Sequence, residues 1–597
     1  MPRSRHHAES GQASSKPIEG MSRPMPEGGT GLTTETGQRR GLLGRGSRMI
    51  TACIPAQVPP PLEAALQLFR RFDEAGVCYC HFKSNAHLRC GLAGQTDLDV
   101  LVDCRQVDAV ELALLESEFR RFRPTFATEY PAVEDYIGFD AGKGRLLHVH
   151  LHYRLVLGEK HLKNYQLDLA ETLLRSRIAD PATGIYRSDP HHELYLLLVR
   201  AALKIRLRDF AMALCGRSFF RGNMQQEFVW LLGQTEASKV EAIARRELGP
   251  HAAACVAGLL ASGPTIWRLR AFRSGAAERL SWHRRSGPIS ARIARLAREL
   301  HGIAGVLNRR FLHRPMPFRR TCHSGGFSIA FLGTHGAGKS TITEEIRRWL
   351  AWKLDVYVVY FGSGAGSSSL LRWPMKALLR CRRPRPLAHR RDVSDGQSRT
   401  ASRRGRSPQA SRLGWARVAW ALALALEKRS KLKSCLRARN RGMIVLCDRY
   451  PQVQTLGYND GPLLGAWLES RSRFRRRLAQ MEYRVYQRAS ELAPDLVIRL
   501  DVPPEVAACR RPKEPLEELQ RRREVVRAVR YGERCRLLEI DASGPFNEVL
   551  LAVKRAIWEE MAGAGRAAAW PGGSGVAMVG TGSGAAAVVR HGSAPQL

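Results

Sequence analysis

One octapeptide constrains this chain more than any other feature: Gly333, Thr334, His335, Gly336, Ala337, Gly338, Lys339 and Ser340. It meets the pattern G-x-x-x-x-G-K-[ST] at every fixed position. The apolar run from Phe327 to Leu332 precedes it and reads as a buried strand. Thr341 to Leu350 follows and reads as a helix. Strand, glycine-rich turn and helix in that order aim backbone N–H groups and a helix N-terminus at a phosphate chain. The glycines let the backbone come close to the anion. Lys339 is placed for the β- and γ-phosphates of a nucleoside triphosphate, and the Ser340 hydroxyl for Mg²⁺. Residues 333–341, Thr341 included, form the expected triphosphate cradle. The motif does not say what receives the phosphate.

The chain has 597 residues, which predicts two to four domains. Lys and Arg number 95 against 55 Asp and Glu, a net charge of +40. Such a charge suggests nucleic acid or an anionic surface as partner. The basic residues are spread along the chain with few interleaved aromatics, which favours compositional drift over nucleic acid. Thirteen cysteines are scattered without C-x-x-C pairs, as in a reducing compartment. Cys78 and Cys80 alternate in a predicted strand and read as small buried hydrophobes. Residues 1–48 lack the apolar core of a signal peptide. The stretch Leu413 to Leu426 is too short to span a bilayer and carries Arg417, so a buried helix is expected. The expected location is therefore cytoplasmic, with no transmembrane segment.

Composition predicts disorder over 1–50 and over a Gly/Ala/Ser tail at 563–597, and Met49 is a candidate start. Between them lie three regions. Residues 55–185 mix helix and strand, with strands expected near 77–82, 98–102 and 146–153. Residues 186–315 read as helix after helix. Residues 326–562 alternate strand and helix, with strands at 328–333, 356–361, 443–448, 496–501 and 536–541. That alternation predicts an α/β fold with a doubly wound parallel sheet and ligands at the strand C-termini. A Ser/Gly/Pro/Arg-rich insertion, 363–412, reads as a mobile solvated loop.

Two further signals accompany the phosphate loop. The strand from Gly442 delivers Asp448, Arg449 and Tyr450 to the sheet end where the loop lies. A carboxylate there can hold Mg²⁺, and a guanidinium can clamp an acceptor phosphate. The run from Ala493 to Arg511 reads as strand, turn and short helix closing on Arg510 and Arg511, cations suited to a transferring γ-phosphate. With Pro494, Asp495, Leu496, Asp501, Glu505 and the closing Glu539 to Ser543, the region 327–560 resembles the thymidylate kinase group of nucleoside monophosphate kinases. The resemblance implies ATP and Mg²⁺, catalytic roles for Lys339, Asp448, Arg449, Arg510 and Arg511, and Mg²⁺ held by Ser340 and Asp448. It implies a nucleoside monophosphate, or a related phosphorylated molecule, as acceptor. His335 stands where that group usually carries an acidic or basic group. Pro451 to Leu464, with Asn459, Asp460 and Gly461, replaces its nucleoside-reading helix. The acceptor therefore stays open.

Near the N-terminus, Phe82, Lys83, Ser84 and Asn85 form a strand end and Ser turn. A D-x-D strand follows, with Asp97 and Asp99 on one face. Paired carboxylates suit two-metal chemistry, and a Ser turn beside a helix can hold a triphosphate. This arrangement, over 60–170, resembles a divergent polymerase-β-type nucleotidyltransferase domain, α+β in class, and implies metal at Asp97 and Asp99. Its third carboxylate is expected on the strand Leu146 to Tyr153, where His150 stands instead. His148, His150 and His152 share one face and read either as Zn²⁺ or Mn²⁺ ligands or as a polar sheet face.

Three functions are compatible with these residues. The first is a phosphotransferase acting on a small phosphorylated acceptor. The second is a nucleotidyltransferase with a regulatory ATP-binding domain. The third is a nucleotide-gated binding protein without catalysis. A homodimer is compatible with all three.

Overall fold

The computed structural model describes residues 59–158, 161–362, 415–457, 460–512 and 514–569. The expectations for 1–50, the insertion 363–412, the tail from 570 onward and Asn459 lie outside these residues. The closing helix Phe546–Ala569 runs on beyond 562, where the tail was expected to begin.

The protein is α/β in class and contains one mixed and one fully parallel sheet. The parallel sheet has five strands in the spatial order Val356–Tyr360, Ile444–Asp448, Phe327–Gly333, Leu496–Asp501 and Arg536–Asp541. The three inner strands are nearly continuous apolar runs because both faces are covered. Alternation sorts the two sides. Ile329, Phe331, Leu446, Ile498 and Leu500 pack under the helices Lys339–Ala351 and Phe546–Ala569. Ala330, Leu332, Val445, Cys447 and Val497 pack on the opposite face, with Leu432 of the helix Trp415–Asn440 and Val526 of the helix Leu516–Ala528. The glycine-rich loop leaves the C-terminal end of the central strand. It therefore stands between the ends of its two neighbours, where a doubly wound sheet opens a crevice.

The mixed sheet has eight strands. Its centre runs Arg120–Pro124, Val133–Asp140, Arg145–His152, Leu98–Val102 and Tyr79–His81. Arg145–His152 is antiparallel to Val133–Asp140 and parallel to Leu98–Val102. Leu98, Val100, Leu147, Val149 and Leu151 face the helices Glu63–Glu74 and Val107–Glu116, which contribute Leu68, Phe72, Val110 and Leu114 to that core. The intervening residues, including Asp99, His148, His150 and His152, face the other way.

That second face is divided between two neighbours. At one end, Cys80, Phe82 and Leu101 join the core of the helices that follow, beginning with Pro190–Lys204. The mixed sheet and the helical stretch from Pro190 therefore share one core. At the other end, Phe122, Ile137, Phe139 and Leu146 join the core of the parallel-sheet half. Phe139 packs edge-on against Trp349 at 5.4 Å and tilted against Trp558 at 5.7 Å. The strand Arg320–Cys322, just before the parallel sheet, pairs with Arg120–Pro124 and extends the mixed sheet.

Phe139, with Phe122, carries the first sheet into the second half's core, and it is Phe139 that meets the two tryptophans. Phe139→Ala should cost about 3 kcal/mol through lost burial and the cavity left between the two tryptophans. A thermal melt of the variant beside the parent measures it. Equal melting temperatures would show that the two halves do not depend on this contact.

Candidate functional site

The loop geometry follows from a lack of space. A Cβ on Gly333 would lie 2.6 Å from the Leu500 carbonyl oxygen, so only glycine fits beside the neighbouring strand. Gly336 and Gly338 adopt φ of 81° and 77°, conformations that open the turn and start the helix. Lys339, first residue of that helix, is buried, and its Nζ donates to the Thr334 carbonyl at 2.5 Å. Burial, with Arg449 nearby, pushes the ammonium down to about 8, although Asp448 and Asp460 pull the other way. An ammonium held dry and next to another cation favours an anion beside it. Thr341, like Ser340, is exposed.

Strand register brings the acidic partner. Phe331 pairs with Asp448 across the parallel strands, which sets the carboxylate beside the loop. The Ser340 hydroxyl donates to Asp448 Oδ2 at 2.8 Å. Asp448 Oδ1 is buried and meets no hydrogen-bond donor among the described residues. A hydroxyl beside a carboxylate with an uncommitted oxygen is a donor set that fits Mg²⁺.

The next residue turns the chain. Arg449 has φ of 68°, an uncommon conformation for a residue with a side chain. This turn points its guanidinium across the crevice. One nitrogen lies 3.3 Å from His335 Nε2, and the other lies 3.6 Å from Asp460. His335 Nδ1 lies 2.8 Å from Glu514, which also pairs with Arg522 at 3.1 Å. Burial is the largest influence on His335 and lowers its pKa; Glu514 works to raise it, and Arg522 and Arg449 add to the lowering. Arg522 also lies 2.7 Å from Nδ1, so that nitrogen is shared between Glu514 and Arg522 while Nε2 faces Arg449. In this structure His335 braces Arg449.

Arg449 borders two cavities. One is a narrow pocket reaching back to Gly333, Lys339 and Tyr531. The other is a cleft of about 350 Å³ lined by Trp420, Leu424, Lys428, Asp460 and Arg522 as well as His335. Lys428 is buried, with Nζ 2.8 Å from the Asp460 carbonyl, and burial pushes it down to about 8. The cleft thus combines three cationic side chains, one carboxylate and an apolar wall.

The two expected lid arginines differ. Arg510 donates to the carbonyls of Gly336 (3.2 Å), Ala542 (3.1 Å) and Ser543 (3.4 Å), so it ties the glycine-rich loop to the end of the last strand. Arg511 is exposed, and its Cγ lies 3.5 Å from the Cβ position of Gly336. Glu514, Arg522, Lys428 and Trp420 were not singled out by sequence reasoning. They carry no motif, and they reach the crevice only because two helices distant in sequence fold over it.

The N-terminal cluster forms as alternation predicts, and its partners are unexpected. His148 joins Asp97 through Nδ1 and Asp135 through Nε2, both at 2.9 Å. His150 lies 3.2 Å from Asp99 and 3.1 Å from Asp135. Asp135 is a third buried carboxylate, but it stands on the adjacent strand Val133–Asp140, paired in register with His150. Sequence reasoning did not single out Asp135. The hairpin register that sets 135 opposite 150 was not legible from alternation alone.

Asp97, His148 and His150 place one donor atom each within 4.8 Å of one another, a spacing that can hold a metal ion. Cations of the protein already meet these carboxylates. Lys353 pairs with Asp97, Lys83 lies 2.7 Å from Asp99, and Arg320 lies 2.8 Å from Asp135. Burial works to raise Asp97, but His148, His150 and Lys353 outweigh it and hold the carboxyl well below its usual range. For His150, too, burial is opposed: Asp135 and Asp99 outweigh it and raise the ring's pKa. His148 is lowered by burial and by its neighbour His150, because two touching rings do not both take a proton cheaply. The Ser turn is engaged as well. Ser84 N–H and hydroxyl donate to Glu227 at 3.1 and 3.2 Å, and Asn85 N–H donates to Glu193 at 2.9 Å. The donors expected to hold a triphosphate here are met by two protein carboxylates.

No protein-family profile matches this chain. Three curated relatives from Escherichia coli do. The chain is 30% identical over 232 residues to the "uncharacterized ATP-binding protein YghR" of strain K12, covering 38% of this chain and 86% of that protein. The same match is found to the YghR of strain O6:H1. It is 27% identical over 243 residues to the "uncharacterized ATP-binding protein YghS" of strain K12, covering 38% of this chain and 91% of that protein.

Lys353 follows directly on the helix of the glycine-rich loop, so its pairing with Asp97 ties that helix to the first sheet. Lys353→Met should destabilise the protein by about 2 kcal/mol by leaving a mostly buried carboxylate one cation short. Asp97 is depressed, so the stability it contributes is present above its ordinary carboxylate pKa and lost as pH falls through the folded value. Asp97→Asn added to Lys353→Met should recover part of the loss. Melting temperatures of the single and double variants at pH 7 test the pair, and strict additivity would rule out the coupling.

Proposed function

This chain belongs to the family of the Escherichia coli ATP-binding protein YghR, and on that premise we propose that its glycine-rich loop binds ATP·Mg²⁺ and that the protein transfers the γ-phosphate to a small anionic acceptor. The observation that carries this reading is the cleft on the far side of Arg449 from Lys339. A protein that merely holds ATP has no use for a second cationic, partly apolar cleft opening beside the terminal phosphates. The acceptor class that fits is a nucleoside monophosphate or a similar phosphorylated molecule. Its anionic group would lie near Arg449, Lys428 and Arg522, and its flat or apolar part against Trp420 and Leu424.

The residues take distinct roles. Backbone N–H groups of 334–341 and the ammonium of Lys339 hold the β- and γ-phosphates. Ser340 and Asp448 would hold Mg²⁺, which would offset the charge of the phosphates when bound. Arg449, braced by His335, places the acceptor oxygen in line with the γ-phosphorus. As that oxygen bonds to phosphorus, the bond to the β–γ bridging oxygen breaks and ADP leaves. Exposed Arg511 is the cation for the oxygens of the transferring group, while Arg510 holds the loop in shape. This proposal resembles the thymidylate kinase reaction, and the His335 bracing leaves the nucleoside itself unspecified.

Labelled ATP offered with nucleoside monophosphates and sugar phosphates tests transfer directly. Lys339→Met should reduce kcat/KM on the order of a thousandfold. Arg449→Ala should raise the acceptor KM while leaving ATP affinity near the parent's. ATP binding with no transfer to any acceptor would leave a binding role in place of a catalytic one.

Lys339 also predicts a pH dependence. Its pKa in the free protein is depressed to about 8, and a bound polyphosphate raises it again. ATP affinity should therefore hold steady below pH 8 and weaken above it, by up to about tenfold per pH unit. Calorimetry near pH 8.5 in two buffers of different ionisation heat should detect proton uptake on binding. Lys339→Met should abolish it; uptake that persists in the variant would assign the proton to another group.

A further inference from the structure

The helix Pro288–Leu307 is amphipathic, and it is docked with the wrong face inward. Ile289, Ile293, Leu296, Leu300, Ile303 and Leu307 follow one another at steps of four and three residues, which aligns them in a single stripe. All six are between 47% and 72% exposed. Polar contacts hold the opposite side to the protein. Arg298 donates to the His161 carbonyl at 3.1 Å and lies over the rings of Phe126 and Tyr130. Glu299 pairs with Arg206 at 2.9 Å, and His301 packs on Phe318 at 4.9 Å. Small or polar residues, Ala291, Gly305 and Asn308, are the ones buried there. The stripe continues past the helix in exposed Phe311 and Leu312, and Trp282 stands exposed before its start.

Contiguous apolar surface of this length marks an interaction site. Charge identifies the partner. Residues 281–320 contain ten arginines and a single acid, Glu299, which is committed to Arg206. Arg292, Arg309, Arg310 and Arg314 flank the stripe and are exposed. A second copy of this chain would bring the same arginines together without acids to meet them. The stretches 1–58, 363–414 and 570–597 are each net basic in sequence and offer no complementary charge. An anionic lipid surface supplies both halves of the match. Its acyl boundary takes the isoleucines and leucines, and its phosphates take the guanidinium groups. A helix of 20 residues spans about 30 Å and would lie in the plane of the interface. Among the described residues no helix is long and apolar enough to cross the bilayer, so the contact would be one-sided.

We propose that this helix docks the protein onto an anionic phospholipid membrane surface. Flotation of the full chain with phosphatidylcholine–phosphatidylglycerol vesicles (3:1) tests it, with pure phosphatidylcholine vesicles as comparison. The chain should float with the anionic vesicles, at least tenfold more than with the neutral ones, and less as salt rises. Ile293→Glu with Leu300→Glu should abolish flotation at the parent's melting temperature. Arg309→Glu with Arg310→Glu should weaken it without touching the apolar stripe. Failure of the parent to float, or undiminished flotation of both double variants, overturns the proposal. So does a parent dimer in sedimentation equilibrium that the Ile293/Leu300 variant converts to monomer, since that outcome assigns the stripe to a second copy.

Discussion

The pairing of the strand Phe327–Gly333 between Ile444–Asp448 and Leu496–Asp501 is the constraint on which the site depends. Parallel strands joined by helices bring all their C-terminal ends to one edge. Register then decides which residues meet there. Phe331 opposite Asp448 puts the carboxylate against Ser340, and Gly333 beside Leu500 leaves no room for a side chain. A one-residue slip would turn Asp448 into the opposite layer and pull the uncommitted oxygen away from the loop. The apolar packing on both faces prevents that slip, so core burial and site geometry are one arrangement.

Charge placement follows a similar economy. Buried ions are costly unless met by partners, and here nearly every buried carboxylate near a candidate site is met by a cation or a histidine. Asp97, Asp99 and Asp135 share three basic side chains and three histidines across the seam between the two sheets. Asp448 differs in keeping one buried oxygen without a partner, next to a lysine whose ammonium is itself destabilised. That contrast separates the two constellations. In the N-terminal one each carboxylate is met by a basic side chain or a histidine of the protein, while the one at the glycine-rich loop keeps a carboxylate oxygen without a partner beside a buried ammonium.

Much of the fold could be read from hydrophobic pattern. The five parallel strands lie within a residue or so of their expected positions, because runs such as Leu496 to Leu500 are buried on both faces. The D-x-D and H-x-H-x-H alternation likewise set Asp99 and the three histidines on a common face. The pattern could not show that the helical stretch from Pro190 shares a core with the first sheet, since amphipathic spacing names a face and not its neighbour. Nor could it foresee the helix at Pro288, whose apolar stripe predicts burial while Arg298, Glu299 and His301 make the contacts inward.

The sequence by itself determined a strand, a glycine-rich turn and a helix that can cradle phosphates, because those local conformations need particular residues at fixed spacing. It also determined an acid–arginine pair, Asp448 and Arg449, at the end of another strand. Only the tertiary structure decided what surrounds them. His335 is turned to Arg449 by Glu514, Arg510 is spent on three carbonyls, and Asp97 is claimed by Lys353 from the far end of the loop's own helix. These contacts join residues up to hundreds of positions apart. Their partners are set by how layers stack, and no local spacing encodes that.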